Sequence, residues 1–100
     1  MNRCGFVYII ANKTHSVLYT GVTSNLIGRM QQHIEKYFEK SFSAKYKVSK
    51  LVYYRLFDSI MDAITEEKRI KSGNRRSKIK LIESMNPQWK DLWATEVSKW

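Results

Sequence analysis

The sequence predicts an α+β fold: a small, mostly antiparallel three-stranded sheet flanked by helices, in the order β-β-α-β-α-α. Three β-rich runs, at residues 6–10, 17–20 and 50–57, are bounded by turn-forming or helix-capping residues. Apolar residues at helical spacing fill the chain between and after these runs. The length of 100 residues is that of one domain with one core. We therefore expect a single domain over residues 1–100, with a core at about 5–93 and a short helical tail.

The first two strands are expected to pair as a hairpin. Residues 12–14 (Asn-Lys-Thr) form a turn signal between them, and Gly21 is expected to end the second strand. Residues 50–57 supply the third strand.

The helices are predicted from capping residues and apolar spacing. Ser24 or Asn25 caps a first helix that runs to about residue 39. Ser59 begins a second helix, which Gly73 ends, and Asn74 caps a third. After a break at residues 86–87, Pro87 suits the first turn of a last amphipathic helix. That helix carries Trp89, Trp93, Val97 and Trp100.

The charge of the chain indicates a polyanionic partner. Eighteen Lys and Arg against nine Asp and Glu give a formal charge of +9, which folding does not need. Nucleic acid is the first interpretation, an anionic membrane surface the second, and solubility alone the alternative. The excess is concentrated at residues 40–50 and 68–80, which contain no acid and lie near aromatic residues in sequence. The bases expected to hold nucleic acid are Lys45, Lys47, Lys68, Lys71, Arg75, Arg76 and Lys78.

Cysteine content and hydropathy exclude several classes of protein. Cys4 is the one cysteine, so the chain has no disulfide framework and no cysteine-based zinc site. We expect Cys4 to be buried, and a lone thiol suits a cytoplasmic location. The longest apolar stretch, residues 6–11, is far shorter than the roughly 20 residues that span a bilayer. No membrane partner is therefore expected.

Five residues can carry chemistry: Tyr8, Tyr19, Arg29, His33 and Glu67. Arg29 and His33 are four residues apart and share one helix face. Glu67 lies on an otherwise apolar helix face, where a carboxylate needs a cationic partner or a metal ion, whereas its neighbour Glu66 should face outward. Each residue also has a structural interpretation: the tyrosines as core, the Arg/His pair as solvated, and the glutamate as salt-bridged.

Taken together, the motifs resemble the GIY-YIG nuclease domain. Val7-Tyr8 and Tyr19-Thr20-Gly21 are similar to its paired tyrosine motifs, although Phe6 and Thr20 depart from them. The resemblance continues through Arg29 and His33, the stretch 63–71 and the stretch 86–89, and covers roughly residues 5–93. It is greatest to small stand-alone bacterial members, which are related to the nuclease module of the excision-repair incision subunit.

The resemblance implies a metal-dependent endonuclease that acts on DNA, with a role in repair or recombination. One divalent ion, Mg²⁺ or Mn²⁺, would bind Glu67 rather than Glu66. Arg29 would bind the phosphate, with His33 beside it and Tyr8 or Tyr19 as the base. A tyrosine base needs a pKa below its usual value near 10, which Arg29, His33 or the metal would lower. The supporting positions are Gly21 and Asn86.

Two alternatives remain at this stage. The first is a nucleic-acid-binding module of the same fold without catalysis, which grips through residues 68–80. The second is a protein-interaction domain that uses Trp89, Trp93 and Trp100. Composition does not distinguish DNA from RNA. We expect no separate DNA-binding domain, so target specificity would come from the domain itself or from a protein partner.

Overall fold

A computed structural model describes residues 3–35 and 48–100. Strands β1 (Gly5–Ala11), β2 (Leu18–Thr23) and β3 (Lys50–Phe57) form an antiparallel sheet in the order β2-β1-β3. The helices are α1 (Leu26–Ile34), α2 (Ile60–Ser72), α3 (Arg75–Met85) and α4 (Leu92–Thr95), followed by a 3₁₀ turn at Val97–Lys99. The predicted α+β class and element order are confirmed. The expected end of the first helix, at residues 36–39, lies outside the described residues.

Strand β1 is buried on both faces of the sheet because helices cover each side. Val7 and Ile9 pack with Ala63 and Ile70 of α2 and with Ile82 of α3. On the opposite face lie Tyr8 and Ile10, together with residues of α1, α4 and the 3₁₀ turn: Leu26, Met30, Leu92 and Val97. Alternating side chains of one strand therefore enter two apolar clusters.

Gly21 lies inside β2 and does not end it, so that expectation was wrong. It pairs with Tyr8 in the ladder, and the strand continues to Thr23. A Cβ atom on Gly21 would overlap Cζ and Oη of Tyr8. The glycine is required by the close approach of the Tyr8 ring and not by a turn.

The predicted helix caps are confirmed. Asn25 accepts a hydrogen bond from the Gly28 amide at 3.1 Å, which selects it over Ser24. Ser59 accepts from the amide of Met61 at 3.1 Å. Asn74 accepts from the amide of Ser77 at 2.8 Å. These side chains satisfy amides that the first helical turn leaves without an internal partner.

The expected amphipathic helix from residue 87 to 100 is wrong. Pro87 and Trp89 lie outside any helix, and α4 spans only Leu92–Thr95. Trp89 has a positive φ of 55°, which a helix does not allow, and its ring stacks on His15 with centroids 4.6 Å apart. Residues 86–91 therefore form a loop held by tertiary contacts, and only short helical segments follow it.

Cys4 was expected to be buried, but it precedes β1 and is exposed. In the part of the chain that the structure describes, no helix has the length and hydropathy needed to cross a membrane.

Candidate active site

Three aromatic side chains meet beside strand β2. Tyr8 is buried in the central strand, and its Oη lies 3.1 Å from Nε2 of His33 on α1. The Tyr19 ring lies 6.4 Å from that of Tyr8 and 5.9 Å from that of His33, measured between centroids. The hydroxyl of Tyr8 is thus enclosed by two other polar rings.

Sheet register and helix spacing produce this cluster. Tyr8 pairs with Gly21, and Ile10 pairs with Tyr19, so the two tyrosines are diagonal neighbours on one face of the sheet. In α1, Leu26, Met30 and His33 form the buried stripe. The spacings of four and three residues place His33 two turns beyond Leu26, over the same face.

Arg29 and Glu67 bring opposite charges to the cluster from two different helices. Arg29 is exposed on α1, one turn before His33. It acts electrostatically on both Tyr8 and His33, and Glu67 acts on Tyr8. The five candidate residues Tyr8, Tyr19, Arg29, His33 and Glu67 are therefore brought together, as the sequence pattern indicated.

The electrostatics of Tyr8 differ from expectation. Burial raises its pKa well above the usual value, and electrostatic interactions with Tyr19 and with the Glu67 carboxylate raise it further. Arg29 lowers the pKa of Tyr8, as expected, but does not by itself offset these effects. Burial, followed by the nearby charge of Arg29, lowers the pKa of His33 to about 4. At neutral pH the tyrosine is therefore protonated and the imidazole is neutral.

Glu66 and Glu67 are equally buried, with side chains 13% and 14% exposed. The expectation that Glu66 faces outward was therefore wrong, and the two residues differ in their partners. Arg69 donates to both oxygens of Glu66 at 2.6 and 2.7 Å and lowers the pKa of that carboxyl. Oε2 of Glu67 lies 3.1 Å from Nζ of Lys71.

The predicted nucleic-acid-binding bases separate into distinct environments. Lys71 lies at the site, with Nζ 6.0 Å from the centroid of the Tyr19 ring. Arg75 donates to the backbone carbonyls of His15 and Ser16, and so holds the β1–β2 turn. The remaining described bases of the set, Lys68, Arg76 and Lys78, lie on α2 and α3 at exposed or half-buried positions. Lys45 and Lys47 lie outside the described residues.

Sequence reasoning did not identify Lys71 as the partner of Glu67. The signal was present, because residues four apart on a helix are neighbours and a glutamate followed by such a lysine is a favourable pair. Because residues 68–80 were interpreted as a surface that holds phosphates, the local pairing of Lys71 with Glu67 was not predicted.

Asn86 is not part of the cluster that surrounds Tyr8. It is buried, its Nδ2 donates to the carbonyls of Val52 and Lys90, and its Oδ1 accepts from the Lys90 amide. Val52 is the extra residue of a β-bulge, because Ile9 pairs with Tyr53 and Ile10 with Leu51. Asn86 therefore braces the loop after α3 against an irregular point of strand β3.

The described residues contain no group of three His, Cys, Asp or Glu side chains that could hold a metal ion. Among residues 3–35 and 48–100, Glu67 is the one carboxylate whose charge acts on Tyr8. A single carboxylate fits Mg²⁺ or Mn²⁺ when water molecules and substrate phosphate oxygens complete the shell. It does not fit a structural zinc site, which takes four protein ligands.

Comparisons with known proteins identify the family of the chain. Residues 4–80 match the family model of the GIY-YIG catalytic domain. A UPF0213 protein of Pediococcus pentosaceus is 34% identical over 79 residues, which is 79% of this chain and 82% of that protein. A UPF0213 protein of Oceanobacillus iheyensis is 38% identical over 83% of this chain and 94% of its own length. The solution structure of a UPF0213 protein from Bacillus halodurans matches with a TM-score of 0.56 and 25% identity, over 93% and 97% of the two chains.

Proposed function

Because the chain belongs to the GIY-YIG family, a nuclease superfamily whose substrate is nucleic acid, we propose that it is an endonuclease that hydrolyses phosphodiester bonds in DNA. One divalent metal ion, Mg²⁺ or Mn²⁺, would assist. The observation that carries this proposal is the 3.1 Å contact between Tyr8 Oη and His33 Nε2, beside an exposed arginine and a carboxylate.

Tyr8 and His33 would activate the attacking water molecule. With the imidazole proton on Nδ1, Nε2 accepts the proton of the Tyr8 hydroxyl. Tyr8 Oη then takes a proton from the attacking water as it passes its own proton to Nε2. As the water oxygen forms its bond to phosphorus, the bond from phosphorus to the leaving sugar oxygen breaks, and that oxygen takes up a proton from solvent. Because burial raises the pKa of Tyr8, its hydroxyl stays protonated at neutral pH. This supports a coupled transfer of two protons over attack assisted by a phenolate that forms beforehand. Since His33 is neutral, it is ready to accept.

Arg29 and Tyr19 serve the phosphate. Arg29 is exposed at the cluster, always charged, and able to donate two parallel hydrogen bonds to non-bridging oxygens. It would neutralise charge that builds on those oxygens in the transition state. Tyr19, on the edge strand beside Tyr8, is the phosphate-side partner of the pair. Gly21 leaves the room that the Tyr8 ring needs.

Glu67 would hold the metal ion. When bound, the ion supplies a Lewis acid for a phosphate oxygen and for the leaving oxygen. The paired neighbour Glu66 is committed to Arg69 and is not a competing ligand. Lys68, Lys71, Arg76 and Lys78, with Lys45 and Lys47 of the sequence prediction, would hold the rest of the backbone. A cytoplasmic role in repair or recombination fits this activity, with a protein partner as one source of target specificity.

The proposal is tested by incubating supercoiled and branched DNA with the protein and Mg²⁺ or Mn²⁺. We expect nicking that EDTA abolishes and that falls at least about 100-fold in Arg29→Gln, as for the loss of a transition-state donor. Arg55→Gln is the matched control, because Arg55 is an exposed arginine on β3, at the opposite edge of the sheet. Binding of DNA without nicking in either metal would identify the protein as a binding module instead.

A further inference from the structure

Lys71 and Glu67 form an ion pair at the point where the proposed function needs a metal ligand. Nζ of Lys71 lies 3.1 Å from Oε2 of Glu67, and 6.0 Å from the centroid of the Tyr19 ring. We propose that Lys71 is a displaceable counter-ion of Glu67, which makes metal binding at this carboxylate depend on nucleic acid. This inference rests on the proposed function and adds a regulatory step to it.

The first step is competition for one oxygen. A metal ion can coordinate Oε2 of Glu67 only if the ammonium group leaves it, since two cations in contact with the same atom repel each other. While Lys71 stays in place, its charge opposes the entry of a dication. Lys71 therefore weakens the affinity of Glu67 for metal in the absence of DNA.

The second step is the ease with which Lys71 moves. Its side chain is 51% exposed, whereas that of Glu67 is 14% exposed, so the lysine is the mobile partner. An ammonium on a four-carbon stem can turn towards another anion without a change in the helix backbone. Its position near the Tyr19 ring puts Nζ on the side of the site that the phosphate would approach.

The third step is coupling. A phosphodiester that takes over Lys71 frees Oε2 of Glu67, and the metal ion then gains a ligand without competition. By linkage, bound metal raises the affinity for nucleic acid by the same factor. An exposed ion pair is weak, so the expected effect is modest, roughly three- to tenfold in the metal dissociation constant.

Lys68 provides a matched control. It also is an exposed lysine of α2, but within the described part of the chain it makes no ion pair with Glu67. Replacing either lysine by methionine removes one positive charge from the same helix. Only Lys71→Met removes the counter-ion.

The experiment measures Mn²⁺ binding to the folded protein without DNA, from the electron paramagnetic resonance signal of free Mn²⁺ at fixed ionic strength. We expect Lys71→Met to bind Mn²⁺ about three- to tenfold more tightly than wild type. Lys68→Met should bind Mn²⁺ with an affinity within about twofold of wild type. Lys71→Arg should bind Mn²⁺ as weakly as wild type does, because it keeps the positive charge beside Glu67. Equal affinity in wild type, Lys71→Met and Lys68→Met overturns the proposal.

A second measurement separates this inference from the proposed function. Glu67→Gln should lose the Mn²⁺ site in both the wild-type and the Lys71→Met background. If Glu67→Gln loses the site but Lys71→Met leaves affinity unchanged, the counter-ion role fails and the metal ligand stands. If Glu67→Gln binds Mn²⁺ as wild type does, the metal ligand itself is wrong and both fail. Circular dichroism of each variant confirms that differences in binding arise in folded protein.

Discussion

Tyr8 Oη and His33 Nε2 lie 3.1 Å apart and join the central strand to the first helix through two titratable groups. Burial moves their pKa values in opposite directions, upwards for Tyr8 and down to about 4 for His33. At neutral pH the pair therefore holds one proton on the tyrosine and an acceptor nitrogen on the histidine. The lowered pKa of His33 makes the free energy of unfolding depend on pH.

Stability should fall as the pH is lowered through the range set by His33. The pKa of His33 in the folded state is about 4, against 6.5 for a histidine in an unfolded chain, so the unfolded chain binds more protons between these values. We expect the free energy of unfolding to lose about 2 kcal/mol between pH 7 and pH 4.5 through this group. Urea unfolding at the two pH values measures it.

The variant His33→Gln should lose that part of the pH dependence. His15→Gln is its control, because the pKa of His15 is also lowered, by burial and by Lys50, at a site outside the cluster. A pH profile of unfolding that is the same in wild type and His33→Gln would show that His33 does not stay neutral in the folded protein.

Gly21→Ala should damage both the packing of the sheet and the cluster around Tyr8. The new Cβ atom would overlap Cζ and Oη of Tyr8, and a buried ring cannot move aside freely. We expect a loss of about 1–3 kcal/mol in unfolding free energy. In Gly28→Ala the added atom meets the end of the exposed Asn25 side chain instead, so the change in stability should be smaller. Equal stability of the two variants would contradict this packing.

Asn86→Ala should destabilise the fold without acting at the cluster. It removes the hydrogen bonds to the carbonyls of Val52 and Lys90 and to the Lys90 amide, and leaves buried or half-buried groups without these partners. The expected loss is about 1–3 kcal/mol by denaturant unfolding. Gln88→Ala, an exposed change in the same loop, should stay within about 0.5 kcal/mol of wild type. If the unfolding free energy of Asn86→Ala equals that of wild type, the bracing role of Asn86 is contradicted.

Arg75→Gln and Arg76→Gln should separate structure from nucleic-acid binding. Arg75 donates to carbonyls of the β1–β2 turn, whereas Arg76 is exposed on the same helix. We expect Arg75→Gln to lower the unfolding free energy by about 1 kcal/mol and Arg76→Gln to leave it unchanged. In DNA titrations over several salt concentrations, Arg76→Gln should reduce the salt dependence by about one phosphate contact. Loss of stability in Arg76→Gln, or none in Arg75→Gln, would reverse these assignments.

The elements that local sequence signals specify were predicted correctly. The caps Asn25, Ser59 and Asn74 depend on hydrogen bonds to amides two or three residues away, so their signatures are visible in the sequence. Gly21 was misread because its role depends on the Tyr8 ring across the ladder. The last helix was misread because Asn86 bonds to Val52, which is 34 residues away.

The sequence predicted which residues lie close to Tyr8, but not the electrostatics of that cluster. Arg29 and His33 are four residues apart on one helix, so their shared face could be predicted from the sequence. The pKa of Tyr8 and the equal burial of Glu66 and Glu67 arise from how several elements pack together, and periodicity within one helix does not determine them. The pairing of Glu67 with Lys71 lay within one helix and could have been found.

The most direct test of a metal-dependent phosphodiester site is a comparison of DNA nicking by Glu67→Gln and Glu66→Gln. The two glutamates are adjacent, equally buried and each paired with a cation, so the same isosteric change is made in closely matched surroundings. With Mg²⁺ or Mn²⁺, we expect Glu67→Gln to lose at least about 100-fold in rate and Glu66→Gln to keep the wild-type rate within about threefold. Equal rates in the two variants would contradict the assignment of Glu67 as the metal ligand.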